Sequence, residues 1–480
     1  MINKNSILSN MIWRFFERTG AQLVTLVVSI VLARLLDPKV YGTIALVTVI
    51  ITVLQVFVDS GFATALIQKK EADDLDFSTV FYFNVASCIL LYMIVFCLAP
   101  LLASFYNMPY LTSVIRAVAL MLVISGVKNV QQAYVSRNML FKRFFFATLG
   151  GTIGAAFIGI CLAYLGYGVW ALVWQMLFNT LVDTIILWIT VEWRPIRAFS
   201  LERLKNLFSF GWKMLIANIV ATINGQLRQL IIGKQYSSSD LAFYNRGKQF
   251  PELIVTNVNT SIDSVLFPAL SNRQDDISGL KEMTRKSIKV STFIMAPLMI
   301  GLFVCADSFV SFILTDKWLP SVPFLRIFCI SFFFYPINTA NLNAIKAMGR
   351  SDILLKLEII KDVFSVAVLL VTMKLGTLII AYGMLGCSIF SQVVNSWPNR
   401  ETLKYTYGQQ LLDILPNGML AIIMGMIIWP ISFLDWSGGV TLIVQVILGA
   451  GIYLILSAFL KTESYTYLFG IVKSYFIKRK

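Results

Sequence analysis

The sequence predicts an all-α integral membrane protein of about 14 transmembrane helices, two pseudo-symmetric six-helix bundles plus a C-terminal helix pair, with both termini cytoplasmic. Three observations predict it. Of 480 residues, 58% are hydrophobic and 14% charged, far from a soluble globular composition. Apolar runs of roughly 20 residues, the length that crosses about 30 Å of hydrocarbon, recur along the chain. Lys and Arg alternate between the connections, because basic residues are retained on the cytoplasmic side of short loops.

The runs lie near residues 11–33, 42–64, 79–103, 112–135, 147–165, 169–190, 208–232, 241–267, 289–314, 321–345, 354–373, 377–397, 411–434 and 440–459. With the N-terminus inside, the inner connections carry most of the 40 Lys and Arg, including Lys69 and Lys70, Arg137, Lys142 and Arg143, Arg194 to Lys205, and Arg273 to Lys289. The outer connections hold only Arg34, Lys39, Lys234, Lys317 and Lys374. A missed or invented helix would scramble that alternation. The expected organisation is a first bundle over 1–190, a cytoplasmic linker over 191–207, a second bundle over 208–400, the added helix pair over 401–460, and a basic amphipathic cytoplasmic tail over 461–480.

The formal charge of +15 is therefore mostly topology. No basic, aromatic-interleaved domain is present to bind nucleic acid, and no connection exceeds about 20 residues, too short for a soluble catalytic domain. The six cysteines are scattered through the spans without a C-x-x-C pair and read as small core residues. Histidine is absent, which removes the commonest metal ligand and the usual proton relay near neutral pH; no metal and no cofactor are expected. Asp74-Leu75-Asp76 forms a D-x-D pattern, which in a glycosyltransferase would hold a metal-bound nucleotide sugar, but no nucleotide-binding domain surrounds it.

An internal repeat organises the chain. Asp59-Ser60 and Ala65-Leu66 recur as Asp263-Ser264 and Ala269-Leu270. Upstream, Thr48, Thr52, Gln55 and Asp59 recur as Glu252, Thr256, Asn259 and Asp263, each set at i, i+4, i+7, i+11. Trp13-Arg14 pairs with Trp212-Lys213, and Val114-Ile115-Arg116 with Phe324-Leu325-Arg326. Because an even number of spans separates equivalent positions, the two bundles share one orientation, related by an axis along the membrane normal.

Three helices carry polar stripes. Helix 1 has Arg14, Glu17, Arg18, Gln22, Thr25 and Ser29; helix 7 has Lys213, Asn224 and Arg228; helix 8 has Asn245, Gln249, Glu252, Thr256, Asn259 and Asp263, with Arg246 and Lys248 nearby. A charge at mid-bilayer costs roughly 2.5–3.5 kcal/mol on insertion scales, so these stripes are expected to face protein or a water-filled cavity. Cations outnumber acids there, which suits an anionic ligand: guanidinium matches phosphate bidentately, and amides suit sugar hydroxyls. The candidate binding set is Arg14, Arg18, Lys213, Arg228, Arg246, Lys248, Asn224 and Asn259. Headgroup snorkelling is the rival reading for Arg14, Arg18 and Lys213. Glu17, Asp59, Asp183, Glu252 and Asp263 stand as ion-coupling or structural groups. Arg116, Lys128, Asp183 and Lys361 read as isolated charges.

The chain resembles bacterial polysaccharide flippases of the Wzx type, in the colanic acid and teichuronic acid exporter branch of the multidrug/oligosaccharidyl-lipid/polysaccharide exporter superfamily. An ordered series carries the resemblance: Leu32-Ala33-Arg34-Leu35-Leu36-Asp37-Pro38 with Tyr41-Gly42, Asn138 to Arg143, Gly168 to Val173, Phe243-Tyr244-Asn245-Arg246, Leu266 to Ser271, and Ala347 to Asp352. The resemblance implies two bundles around a cationic cavity and alternating access that moves an undecaprenyl-diphosphate-linked oligosaccharide from the cytoplasmic to the outer leaflet of a bacterial inner membrane. It also implies a last helix pair that helps to hold the lipid tail. Partners implied are that lipid-linked oligosaccharide, membrane lipids and polysaccharide polymerase machinery, with no nucleic acid and a monomeric chain. Two alternatives stay open: a multidrug/cation antiporter of the same superfamily, whose cavity would be acidic, and a membrane-embedded polymerase or transferase, which would need a large external loop or an acid/base cluster.

Overall fold

The computed structural model describes residues 4–59, 66–67, 69, 72–273, 276–434 and 436–477, and no strand occurs among them. The chain divides into two compact units, Met1–Leu241 and Ala242–Lys480. Eleven helices among the described residues are long and apolar enough to cross a membrane, and Thr19–Leu35 adds a shorter apolar helix. This is a multi-pass membrane protein.

The first unit holds α1 (Lys4–Leu35), α2 (Pro38–Asp59), α3 (Asp74–Phe105), α4 (Leu111–Arg137), α5 (Phe141–Tyr164), α6 (Val169–Thr190) and α7 (Leu201–Gln235). Pro38 opens α2: it lacks the N–H that a first-turn residue leaves unbonded anyway, and it disfavours helix at Asp37, so the chain breaks between α1 and α2. Asp73 caps α3 in a capping box with Asp76, and Asp76 is buried against Lys69 at 2.6 Å and Arg203 at 3.2 Å. The Asp76 backbone N–H, with Arg203, holds the Asp73 carboxyl below the usual carboxylate range. The D-x-D pattern thus starts a helix, and its second Asp is held by Lys69 and Arg203.

The stretch from Val191 to Ser200 is strapped down. Trp193 packs into a buried cluster with Phe77, Val130 and Leu187, and its carbonyl accepts from Gln131 at 3.1 Å. The Ile196 N–H donates to Ser78 at 2.9 Å and that of Ser200 to Thr79 at 3.2 Å. Ser200 then caps α7, its hydroxyl accepting from the Arg203 N–H.

The second unit holds most of α8 (Ser238–Ser271), α9 (Ile277–Val304), α10 (Ala306–Leu314), α11 (Val322–Phe333), α12 (Tyr335–Ala347), α13 (Ser351–Thr372), α14 (Thr377–Thr402), α15 (Tyr407–Ile428), α16 (Gly438–Phe459) and α17 (Glu463–Ile477). One expected span, 321–345, is broken at Phe334. Pro336 is the cause: it sits in the first turn of α12 and has no N–H to give the carbonyl one turn back. The expected tail is helical from Glu463 to Ile477 and docks on α9, with Lys286 3.7 Å above the Tyr467 ring and Ser464 donating to the Lys289 carbonyl at 3.2 Å. Buried Asp413 on α15 takes Arg285 through two bonds of 2.7 and 2.8 Å and the Tyr405 hydroxyl at 2.7 Å.

The repeat has a structural counterpart. In the first unit Arg116 donates to the Phe96 carbonyl at 3.1 Å with its guanidinium 3.9 Å over the same ring. In the second, Arg326 donates to the Phe303 carbonyl at 3.3 Å and lies 5.6 Å over that ring. The two positions paired by sequence make the same double contact.

Candidate functional site

In the second unit, polar residues line α8 and the helices beside it. Helix α8 begins where Ser237 and Asp240 cap each other reciprocally, the Asp240 carboxylate accepting the Ser237 hydroxyl at 2.6 Å and the Ser237 hydroxyl accepting the Asp240 N–H at 3.0 Å. From there the polar stripe read from the sequence runs along one side. Arg246 is 5% exposed, donates to Gln249 at 2.6 Å and lies 5.3 Å over the Trp318 ring. Lys248 pairs with Glu252 one turn on, at 2.9 Å. Both cations are therefore neutralised or stacked within their own unit.

Two to three turns further, α8 faces α12 across a pocket of about 300 Å³. Asn259 and Asp263 line it from α8; Tyr335, Asn338, Asn343 and Lys346 line it from α12. Those four α12 positions fall at i, i+3, i+8 and i+11, one face of a helix. Asn343 donates to Asp263 at 2.5 Å. Asn259 is 8% exposed and its side-chain oxygen has no partner.

Behind this face lies a polar cluster that sequence reasoning missed. Asn341 donates to Gln410 at 2.7 Å and to Ser396 at 3.1 Å, Asn399 donates to Asn341 at 2.6 Å, and Asn395 donates to Asn338 at 3.1 Å. Its signal was present: Gln392, Asn395, Ser396 and Asn399 stand at i, i+3, i+4 and i+7 along α14. Amide pairs of this kind tie spans together where hydrocarbon offers no competing partner.

In the first unit, Asp183 on α6 pairs with Lys128 on α4 at 2.8 Å, and its second oxygen is buried without a hydrogen bond. The two charges read as isolated in the sequence are each other's partner. Lys361 likewise is held by Glu358 at 2.7 Å. On α7, Asn224 and Arg228 are half-buried and engaged by neighbours. The side chains of Arg14, Glu17, Arg18, Asp59 and Lys213 lie outside the described residues, although their backbones are helical.

This is a multi-pass helical membrane fold with polar residues on facing spans. The fold is similar to that of "Lipid II flippase MurJ, inward closed conformation", with a TM-score of 0.78 and 14% identity over 94% of this chain and 98% of that one. A multidrug resistance MATE family transporter in an inward-facing conformation follows at 0.63 and 16% identity, over 80% and 94% of the two chains. In sequence, the chain is 24% identical over 425 residues to the teichuronic acid biosynthesis protein TuaB of Bacillus subtilis, covering 85% of this chain and 87% of the relative. It is 26% identical over 395 residues to the lipopolysaccharide biosynthesis protein WzxC of Escherichia coli, covering 80% and 79%. Residues 31–323, more than half of the chain, match the family described as "Polysaccharide biosynthesis protein". The chain belongs to that family.

Proposed function

We propose that the protein turns an undecaprenyl-diphosphate-linked oligosaccharide repeat unit from the cytoplasmic to the outer leaflet of the bacterial inner membrane, for exopolysaccharide or lipopolysaccharide assembly. Fourteen spans with both termini cytoplasmic, two bundles of six and a final pair complete the reading, and transport follows alternating access around a cationic cavity. The observation that carries it is the polar face along α8 of a chain in the polysaccharide biosynthesis family, since side chains such as Asn259 and Asp263 are costly in a span unless they meet a polar ligand or partner.

Arg14, Arg18 and Lys213 take the diphosphate in this reading, while the polyprenyl chain stays in lipid. Arg246 and Lys248 are assigned to structure instead, because Trp318, Gln249 and Glu252 already engage them. The binding step is a population shift: a ligand that prefers one arrangement of the bundles draws the equilibrium toward it.

Charge-assisted hydrogen bonds contribute about 1.5–3 kcal/mol each, so one lost phosphate contact lowers transport by roughly tenfold or more. Arg14→Ala, Arg18→Ala and Lys213→Ala should each reduce polysaccharide export by that factor at normal protein level. Lys248→Ala, which breaks only a one-turn pair with half-exposed Glu252, should stay within about twofold. Wild-type export in all three of the first variants would reduce those residues to headgroup anchors.

A further inference from the structure

We infer that the pocket between α8 and α12 is a subsite for one neutral sugar ring of the transported glycan. The inference rests on the flippase reading above and extends it to a specificity-determining site with its own residues.

Charge and hydrogen-bond supply select the ligand. Asp263 and Lys346 both line the pocket, so its formal charge balances. A phosphate would meet the Asp263 carboxylate, and a metal cation would meet the Lys346 ammonium together with the Asn343 amide that donates to Asp263. A hydroxyl-bearing neutral ligand meets neither conflict. Its O–H groups donate to the Asn259 oxygen, which is buried and unpartnered, and to Asp263, while its ring and hydroxyl oxygens accept from Lys346. Tyr335 adds an aromatic ring to the lining. The volume of about 300 Å³ is at the lower end of small-molecule sites, enough for a single ring and not for an oligosaccharide.

Backbone placement supports a preformed site. Asn259 and Asp263 are one turn apart on α8, and the break before Pro336 starts α12 afresh, with Tyr335, Asn338, Asn343 and Lys346 on one face. Asn338 is fixed from behind by Asn395 at 3.1 Å, and Asn343 by Asp263. The orphan oxygen of Asn259 is thus a buried pocket group whose demand the protein leaves for a ligand.

The test uses the full-length protein in lipid nanodiscs and two probes: undecaprenyl diphosphate without sugar, and undecaprenyl diphosphate carrying the glycan extracted from the host. Wild-type protein should bind the glycosylated probe more tightly. Asn259→Ala and Asp263→Asn should each remove about tenfold of affinity for the glycosylated probe while leaving the sugarless probe within about twofold. Equal losses for both probes, or none for either, would overturn the subsite and leave these residues structural. Sodium-dependent binding of the sugarless probe that Asp263→Asn abolishes would overturn it too, in favour of a cation site. If wild-type protein binds neither probe, the flippase reading fails first and the subsite with it; thermal unfolding of each variant identifies one that simply fails to fold.

Discussion

Gly42→Val is expected to reduce export more than tenfold while the protein still inserts and folds. A Cβ at Gly42 would lie 1.6 Å from the Ser238 carbonyl oxygen and 2.3 Å from its carbon, far inside the 3.0 Å that real Cβ atoms keep. Those neighbours are backbone and have no rotamer by which to yield, so α2 and the start of α8 must separate. Around this point the packing is close on every side. Thr43 and Tyr110 hydroxyls stand 3.1 Å apart, Lys234 donates to the Phe105 carbonyl with its ammonium 4.1 Å over that ring, and Gly233 lies against Leu46.

Overpacking costs about 1–3 kcal/mol, which shifts a two-state equilibrium by roughly five- to 150-fold. In the alternating-access reading, forcing these two helices apart resists a rearrangement that transport requires. Export and the labelling of Thr43→Cys by an impermeant maleimide check it: export should fall and labelling rise. Gly451→Ala is the control, because no atom lies within 4 Å of where its Cβ would stand; its effect should be small. Normal export by Gly42→Val would show that this contact does not govern transport.

Lys128→Met alone should destabilise the protein by about 3–5 kcal/mol, as should Asp183→Leu alone, and the double variant should recover most of the loss. Each side chain is less than one-fifth exposed, and each is the other's ion-pair partner across α4 and α6. Removing one leaves an uncompensated charge in a span; removing both leaves none. Unfolding of the purified variants in detergent measures the cycle. The double variant also separates two roles of Asp183: a structural tie predicts that it still exports, whereas an ion-coupling role predicts a stable protein that does not.

How far the sequence carried this picture follows from what periodicity encodes. Hydropathy locates spans because it acts on the chain segment by segment. The polar face of α8 was legible for the same reason, its residues recurring every three or four positions. Partners across helices were not: Lys128 and Asp183 are 55 residues apart, and nothing local records that α4 and α6 bring them together. Arg246 read as a ligand cation because its stack on Trp318 comes from a separate 3₁₀ turn, Asp316–Ser321. The α12 face of the pocket was hidden by the break at Phe334, which resets the helical phase halfway through one expected span. The Arg116 and Arg326 repeat survived because each contact is made to a phenylalanine about 20 residues upstream, within one helical hairpin.

The central claim is that this chain carries lipid-linked glycan across the membrane, and one measurement tests it most directly. Deplete the protein in its host and quantify undecaprenyl-linked repeat units on the cytoplasmic leaflet, by enzymatic labelling of inverted membrane vesicles. The account predicts that these units accumulate inside as surface polysaccharide disappears. Normal polysaccharide with no accumulation would contradict it.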